Sequence, residues 1–316
     1  MSGWTPNQLP DLHGKTYVVT GGNSGLGLEA SKILVGKGAR VVFTSRSEAK
    51  ANAAIDEVHR HVKDADVSFV RLDLADQGSV ENAARELRDA CPRIDALILN
   101  AGVMQPPETR TDEGWELQIA TNHLGHFKLA ALLFDLVEES GGRIVPVSSI
   151  AHKFGKIDLD DLTWQSRAYS ATDAYGQSKL ANIMFGLELS RRLSRRGSKV
   201  KSIPVHPGYS ATNLQSAGVG MEGGSALFKY LYKVTNTLWA QSAEKGAYPL
   251  VLAAAWPDAK DGAYYGPTRL GDSIGKVGES AIAKPALDEN VAEQLWTLTE
   301  SLVGPFFKEE PQHAAA

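Results

Sequence analysis

Tyr175 and Lys179 stand four residues apart in a segment, Ala174 to Arg196, whose apolar positions Leu180, Ile183, Met184, Leu187 and Leu193 keep helical spacing. The phenol and the ammonium therefore share one helix face. A free phenol, with a pKa of about 10, is a poor base at neutral pH, and a neighbouring cation favours its ionised form. The pair is thus expected to hold Tyr175 at a lowered pKa, ready to pass a proton to an oxygen whose carbon receives hydride. Ser149, closing the run Arg143-Ile144-Val145-Pro146-Val147-Ser148, would hydrogen-bond the same oxygen and steady its charge. A solitary Tyr-x-x-x-Lys is common and reads as an exposed helix pair, so the assignment leans on a second signal far upstream.

That signal is Thr20-Gly21-Gly22-Asn23-Ser24-Gly25-Leu26-Gly27, directly after the β-branched and aromatic run Lys15 to Val19 and before the helical pattern Leu28 to Val35. Gly21, Gly25 and Gly27 permit a sharp turn and close backbone approach, and the free N–H groups of a starting helix attract an anion such as pyrophosphate. The next strand, Arg40 to Thr44, ends in Ser45-Arg46. An acid at that place would hold the ribose 2′-hydroxyl of NAD, whereas an Arg accommodates the 2′-phosphate of NADP. The acid is missing and the cation is present, which favours NADP(H) over NAD(H).

These groups need a scaffold, and the rest of the first half supplies its rhythm. Val67 to Leu72 reads as a strand ending at Asp73-Leu74, and Ile94 to Leu99 as one ending at Asn100-Ala101-Gly102; Ile55 to Val62 and Val80 to Ala90 have helical periodicity. Alternating strands and helices imply an α/β fold, a doubly wound parallel sheet of Rossmann type with helices on both faces. Ligands of such sheets sit at the carboxyl ends of the strands. The alternation continues without a break, so one domain is expected over residues 1–304, with a cofactor half over about 12–150 and a catalytic and substrate half over about 151–304.

With these motifs in order, the chain resembles the short-chain dehydrogenase/reductase superfamily from about Lys15 to Val303, and in particular its branch of retinol-dehydrogenase-like and protochlorophyllide-reductase-like members. The resemblance implies that Thr20 to Gly27 bind the dinucleotide, that Asp73 contacts the adenine, and that Asn100-Ala101-Gly102 and Pro207-Gly208 with Thr212 embrace the nicotinamide end. It implies that Tyr175 and Lys179 also touch the cofactor. Asn122, in Asn122-His123-Leu124-Gly125-His126-Phe127, matches a helical Asn that completes the catalytic set and holds a water linking Lys179 to solvent. Departures are Leu99 in place of a frequent second Asn, Pro146 within a central strand, and a 26-residue spacing from Ser149 to Tyr175. Proline cannot donate to a ladder, so a bulge or missing bond is expected there. The long spacing, which contains Ala151-His152-Lys153-Phe154 and Trp164, suggests a flap over the site, with a surface loop as the other reading.

After Thr212 comes the glycine-rich stretch Ala217 to Gly224, then Ala226 to Trp239 with Leu227, Phe228, Tyr230, Leu231, Tyr232, Leu238 and Trp239. A lid over about 209–240 closing on a bulky apolar ketone, aldehyde or alcohol fits this order, although core packing or a subunit contact fits an aromatic helix as well. The net charge of −4 offers no footprint for nucleic acid. A single cysteine, Cys91, cannot form an internal disulfide, and with no apolar run long enough for a membrane span a cytoplasmic setting is expected. His123 and His126 lie three apart without a carboxylate or cysteine to complete a metal site, and His206 beside Pro207 is read as shaping the nicotinamide pocket. The Tyr175 helix could pair subunits as a homodimer or homotetramer, and residues 305–316 read as a disordered tail. The competing function is an idle dinucleotide sensor or scaffold, but such a protein would be free to lose Asn122, Ser149, Tyr175 or Lys179, and all four are present.

Overall fold

The computed structural model describes residues 3–209 and 242–307. Six parallel strands, β1 (Thr16–Val19), β2 (Arg40–Ser45), β3 (Val67–Arg71), β4 (Ala96–Leu99), β5 (Arg143–Pro146) and β6 (Lys201–Ser202), lie in the order β3-β2-β1-β4-β5-β6. The strand order reverses between β1 and β4, which opens a crevice at their carboxyl ends. A hairpin of β7 (Tyr265–Arg269) and β8 (Ile274–Glu279) joins the far edge through a parallel bridge from Val205 to Tyr265.

The helices are α1 (Gly25–Val35), α2 (Glu48–His61), α3 (Gln77–Ala90), α4 (Leu117–Ile119), α5 (Gly125–Glu139), α6 (Ala171–Arg195), α7 (Ala243–Ala255) and α8 (Glu289–Val303). Consecutive strand residues point to opposite faces, and both faces are covered. Val19, Phe43, Ile98 and Val145 pack with Leu34, Val58 and Leu250 of α1, α2 and α7. Val18, Val42, Leu97 and Ile144 pack with Leu87, Leu133, Leu189 and Trp296 of α3, α5, α6 and α8. The doubly wound sheet is the one expected.

Pro146 produces the missing bond. Ile203 N–H donates to Ile144 and Val205 N–H to the Pro146 carbonyl, but Pro146 has no N–H to return, and regular pairing of β6 stops at Ser202. Pairing with β4 keeps register through Leu99 and Pro146. The strand therefore reaches Ser148 and Ser149 with one bond fewer on its β6 side.

Two other expectations change. The residues between Ser149 and Tyr175 form no free flap: Leu162, Thr163 and Trp164 are buried, and the Asp161 carboxylate accepts from the N–H groups of Gln165, Ser166 and Arg167. Of this stretch, Ile150, Ala151 and Phe154 line the cleft. The tail is anchored at its start, because Phe306 is buried against Phe127, Phe134, Phe185 and Trp296. On α6, every residue from Ala174 to Leu189 is buried by the chain itself, with α8 over the Phe185 side. Its apolar periodicity serves the interior of this protomer.

Candidate active site

A cleft of about 1280 Å³, bounded by the described residues, runs along the carboxyl ends of the strands. Its cofactor side begins where β1 turns into α1. Gly21 holds φ at 67°, and a Cβ there would lie 3.0 Å from Ala101. A side chain at this turn would meet the end of β4, so the backbone is left bare toward the cleft. Asn23, Ser24, Gly25 and Leu26 line it, with Ser24 as the N-cap of α1 and the helix N-terminus aimed inward. Gly27 was expected to line the cleft and does not: its Cβ position falls 2.5 Å from the Gly21 carbonyl, so it permits close packing behind the turn.

Ser45 and Arg46 stand at the end of β2 on the cleft wall. Ser45 is buried and its hydroxyl donates to the Ser47 carbonyl, whereas Arg46 is exposed. Lys50, in the first turn of α2, lines the same wall. Asp73 and Leu74 line the cleft at the end of β3, with the Asp73 carboxylate accepting from Ala75 N–H. Asn100, Ala101 and Gly102 line it at the end of β4, and Asn100 Nδ2 donates to the Thr20 carbonyl at 2.8 Å. Pro207 and Gly208 close the far end, and the His206 ring accepts from Gly208 N–H through Nδ1, so it shapes this loop. Thr212 and the lid segment beyond Tyr209 lie outside the described residues, and Tyr209 itself lines the cleft.

Ser149, Tyr175 and Lys179 meet at the middle of the cleft. The Tyr175 hydroxyl shares a hydrogen bond with Ser149. Lys179 Nζ donates to the Val147 carbonyl at 3.2 Å and lies 5.8 Å from the Tyr175 ring centre. Both side chains are buried, and the electrostatics differ from expectation. Burial raises the Tyr175 phenol above its ordinary value, the Ser149 bond pulls it back, and burial lowers Lys179 to about 8. Desolvation is the largest cause of both shifts, because the charged form of each group loses water on entering the interior, and Lys179 does not contribute to the Tyr175 shift.

Asn122 stands behind the cleft wall. It sits in a π-helical segment, Ala120–Leu124, between α4 and α5, and is fully buried without lining the cleft. Its Oδ1 accepts from Val103 N–H at 2.8 Å, and its Nδ2 donates to the Val103 carbonyl at 3.0 Å and to Ser178 Oγ at 2.9 Å. The side chain fastens the residue after Gly102 to α6, and both of its amide hydrogens are engaged by protein. The cleft wall also carries Val103, Met104, Pro106, Leu117 and Phe154, of which the sequence singles out Phe154 alone.

The model of the short chain dehydrogenase family matches residues 15–221. Human retinol dehydrogenase 13 is 37% identical over 306 residues, covering 95% of this chain and 88% of that protein. The chloroplastic short-chain dehydrogenase TIC 32 A of Brassica napus is 35% identical over 299 residues, covering 91% and 88%. Among solved structures, an uncharacterised protein from Mycobacterium paratuberculosis superposes with a TM-score of 0.78 at 37% identity, over 96% of this chain and 98% of that one.

Proposed function

Because this chain belongs to the short chain dehydrogenase family of oxidoreductases, we propose that it uses NADP(H) to interconvert a bulky apolar ketone or aldehyde and its alcohol. The observation that carries this reading is Tyr175, bonded to Ser149 and beside Lys179, opening into the same cleft as a glycine turn and two cations, Arg46 and Lys50. When bound, the dinucleotide supplies or accepts the hydride. Gly21, Ser24, Gly25 and Leu26 would receive its pyrophosphate, Arg46 and Lys50 its 2′-phosphate, Asp73 and Leu74 its adenine, and Gly102, Pro207 and Gly208 its nicotinamide end.

The chain's own residues handle the oxygen. Ser149 Oγ donates a hydrogen bond to the carbonyl and holds it against Tyr175, whose hydroxyl transfers its proton as the oxygen gains charge. Burial keeps Tyr175 protonated, which suits reduction. The apolar wall of Val103, Met104, Pro106, Leu117 and Phe154 supports an apolar substrate, and the relative named retinol dehydrogenase carries such an alcohol in its name. Cys91, buried and unbridged, fits a reducing cytoplasmic setting.

The test is an assay of alkyl and aryl ketones of rising size, and the matching alcohols, with NADPH and NADH. Each added methylene should raise kcat/KM by less than the roughly 0.8 kcal/mol of full burial until the pocket is filled. NADPH should bind tighter than NADH by about 1.5–3 kcal/mol, and Arg46→Ala with Lys50→Ala should remove most of that difference. A flat size profile would refute the substrate class, and equal nucleotide affinities would refute the cofactor choice.

A further inference from the structure

His126 is absent from the proton transfer just described, yet it is buried at 2% exposure between the two halves of the site. Its Nδ1 lies 3.0 Å from the Asn122 carbonyl and its Nε2 lies 2.8 Å from Thr20 Oγ1. Thr20 Oγ1 in turn accepts from Ala101 N–H at 2.9 Å. On the other side, Asn122 holds both the N–H and the carbonyl of Val103. The bonds close a ring: Ala101, Gly102, Val103, Asn122, His126, Thr20 and back to Ala101. Gly102 sits at the open point of that ring, and a Cβ there would lie 3.6 Å from Lys179 Nζ.

The chemistry of the partners selects one protonation state. A carbonyl can only accept, so Nδ1 carries the hydrogen toward Asn122. Nε2 is then bare and accepts the Thr20 hydroxyl proton, whose other acceptor, the Ile98 carbonyl, is farther at 3.3 Å. With the opposite tautomer two lone pairs would face each other at 3.0 Å. A charged ring is opposed by burial, which lowers His126 to about 3, and by Lys179 and His123 nearby.

We propose that His126, as the neutral Nδ1–H imidazole, is a positioning residue that closes this ring and so sets the Ala101–Val103 backbone for both cofactor binding and turnover. The proposal rests on the reading of the cleft as a dinucleotide site, but its first test does not. In the free protein labelled with ¹⁵N-histidine, the nitrogen shifts of His126 should report a protonated Nδ1 and a bare Nε2 at neutral pH. The Nε2–H tautomer or an imidazolium would overturn it.

The second test is a double-mutant cycle read as the NADPH dissociation constant by titration of intrinsic fluorescence. His126→Phe keeps a ring without its hydrogen bonds, and Thr20→Val keeps the volume without the hydroxyl. Each should weaken NADPH binding by roughly five- to tenfold, the worth of one lost buried hydrogen bond, and the double variant should be no weaker than the worse single. Multiplicative effects, or variants that lose thermal stability while binding NADPH as the wild type does, would overturn the relay. If His126→Phe fails to fold, wild-type affinity in Thr20→Val overturns it and weakened affinity supports it. A wild-type protein that binds neither NADPH nor NADH refutes the dinucleotide reading, and the histidine shifts then still decide the relay.

Discussion

At the residue scale, the reacting centre is a case of burial competing with charge. Tyr175 is pushed up and Lys179 down to about 8 because both lose solvation, and the two shifts give the pH profile a direction. Reduction needs the phenol protonated, which holds at neutral pH, and needs Lys179 charged, which fails as pH rises through about 8. Carbonyl reduction is therefore expected to be level below that pH and to fall above it. Lys179→Met should flatten that limb at a much lower rate, and an unchanged limb would remove Lys179 from the role. Tyr175→Phe should cut turnover at least about 10²-fold with NADPH affinity retained, because the ring still packs but has no proton to give.

At the element scale, the C-terminal helix decides what α6 does. Trp296 of α8 stacks on Phe185, Arg192 lies 4.4 Å from the Trp296 ring centre, and Phe306 fills the space between α5 and α6. The last described residues thus complete the core beneath the catalytic helix. Phe306→Ala is expected to cost about 3–5 kcal/mol in urea denaturation, the usual range for emptying a buried aromatic site. A loss under about 1 kcal/mol would mean the segment is peripheral. The element boundaries have their own reasons. Apolar periodicity begins at Leu28 and Ile55, but α1 starts at Gly25 and α2 at Glu48. The start of α2 carries small or polar residues, of which Ala51 and Ala54 are buried, and Ser47 caps it through Lys50 N–H.

At the scale of the whole molecule, buried histidines link stability to pH. His123 is lowered to about 4, and His126 and His206 to about 3, each chiefly by burial. Against an unfolded value of about 6.5, the folded state resists protonation, so their contribution is complete above about pH 6.5 and is lost as pH falls toward 4. Each group taking up a proton only on unfolding contributes a slope of about 1.4 kcal/mol per pH unit. Thermal stability should thus drop steeply between pH 6 and 4, with about three protons bound on unfolding from these sites alone. A melting temperature level across that range would contradict the burial of these rings. Among the described residues no helix is long and apolar enough to cross a membrane.

The order of strands and helices, the glycine turn, the Ser45-Arg46 pair and the Tyr175–Lys179 spacing were legible in the chain, because each is a local pattern of period or residue type and they occur together in order. What lies between distant segments was not. That Asn122 would spend its amide on Val103, that His126 would meet Thr20, and that Phe306 would enter the core all depend on groups far apart in sequence coming within hydrogen-bond or contact distance. The pKa order of Tyr175 and Lys179 belongs to the same class. Spacing put the cation beside the phenol, but only the packed interior determined how much water each would lose, and desolvation prevailed.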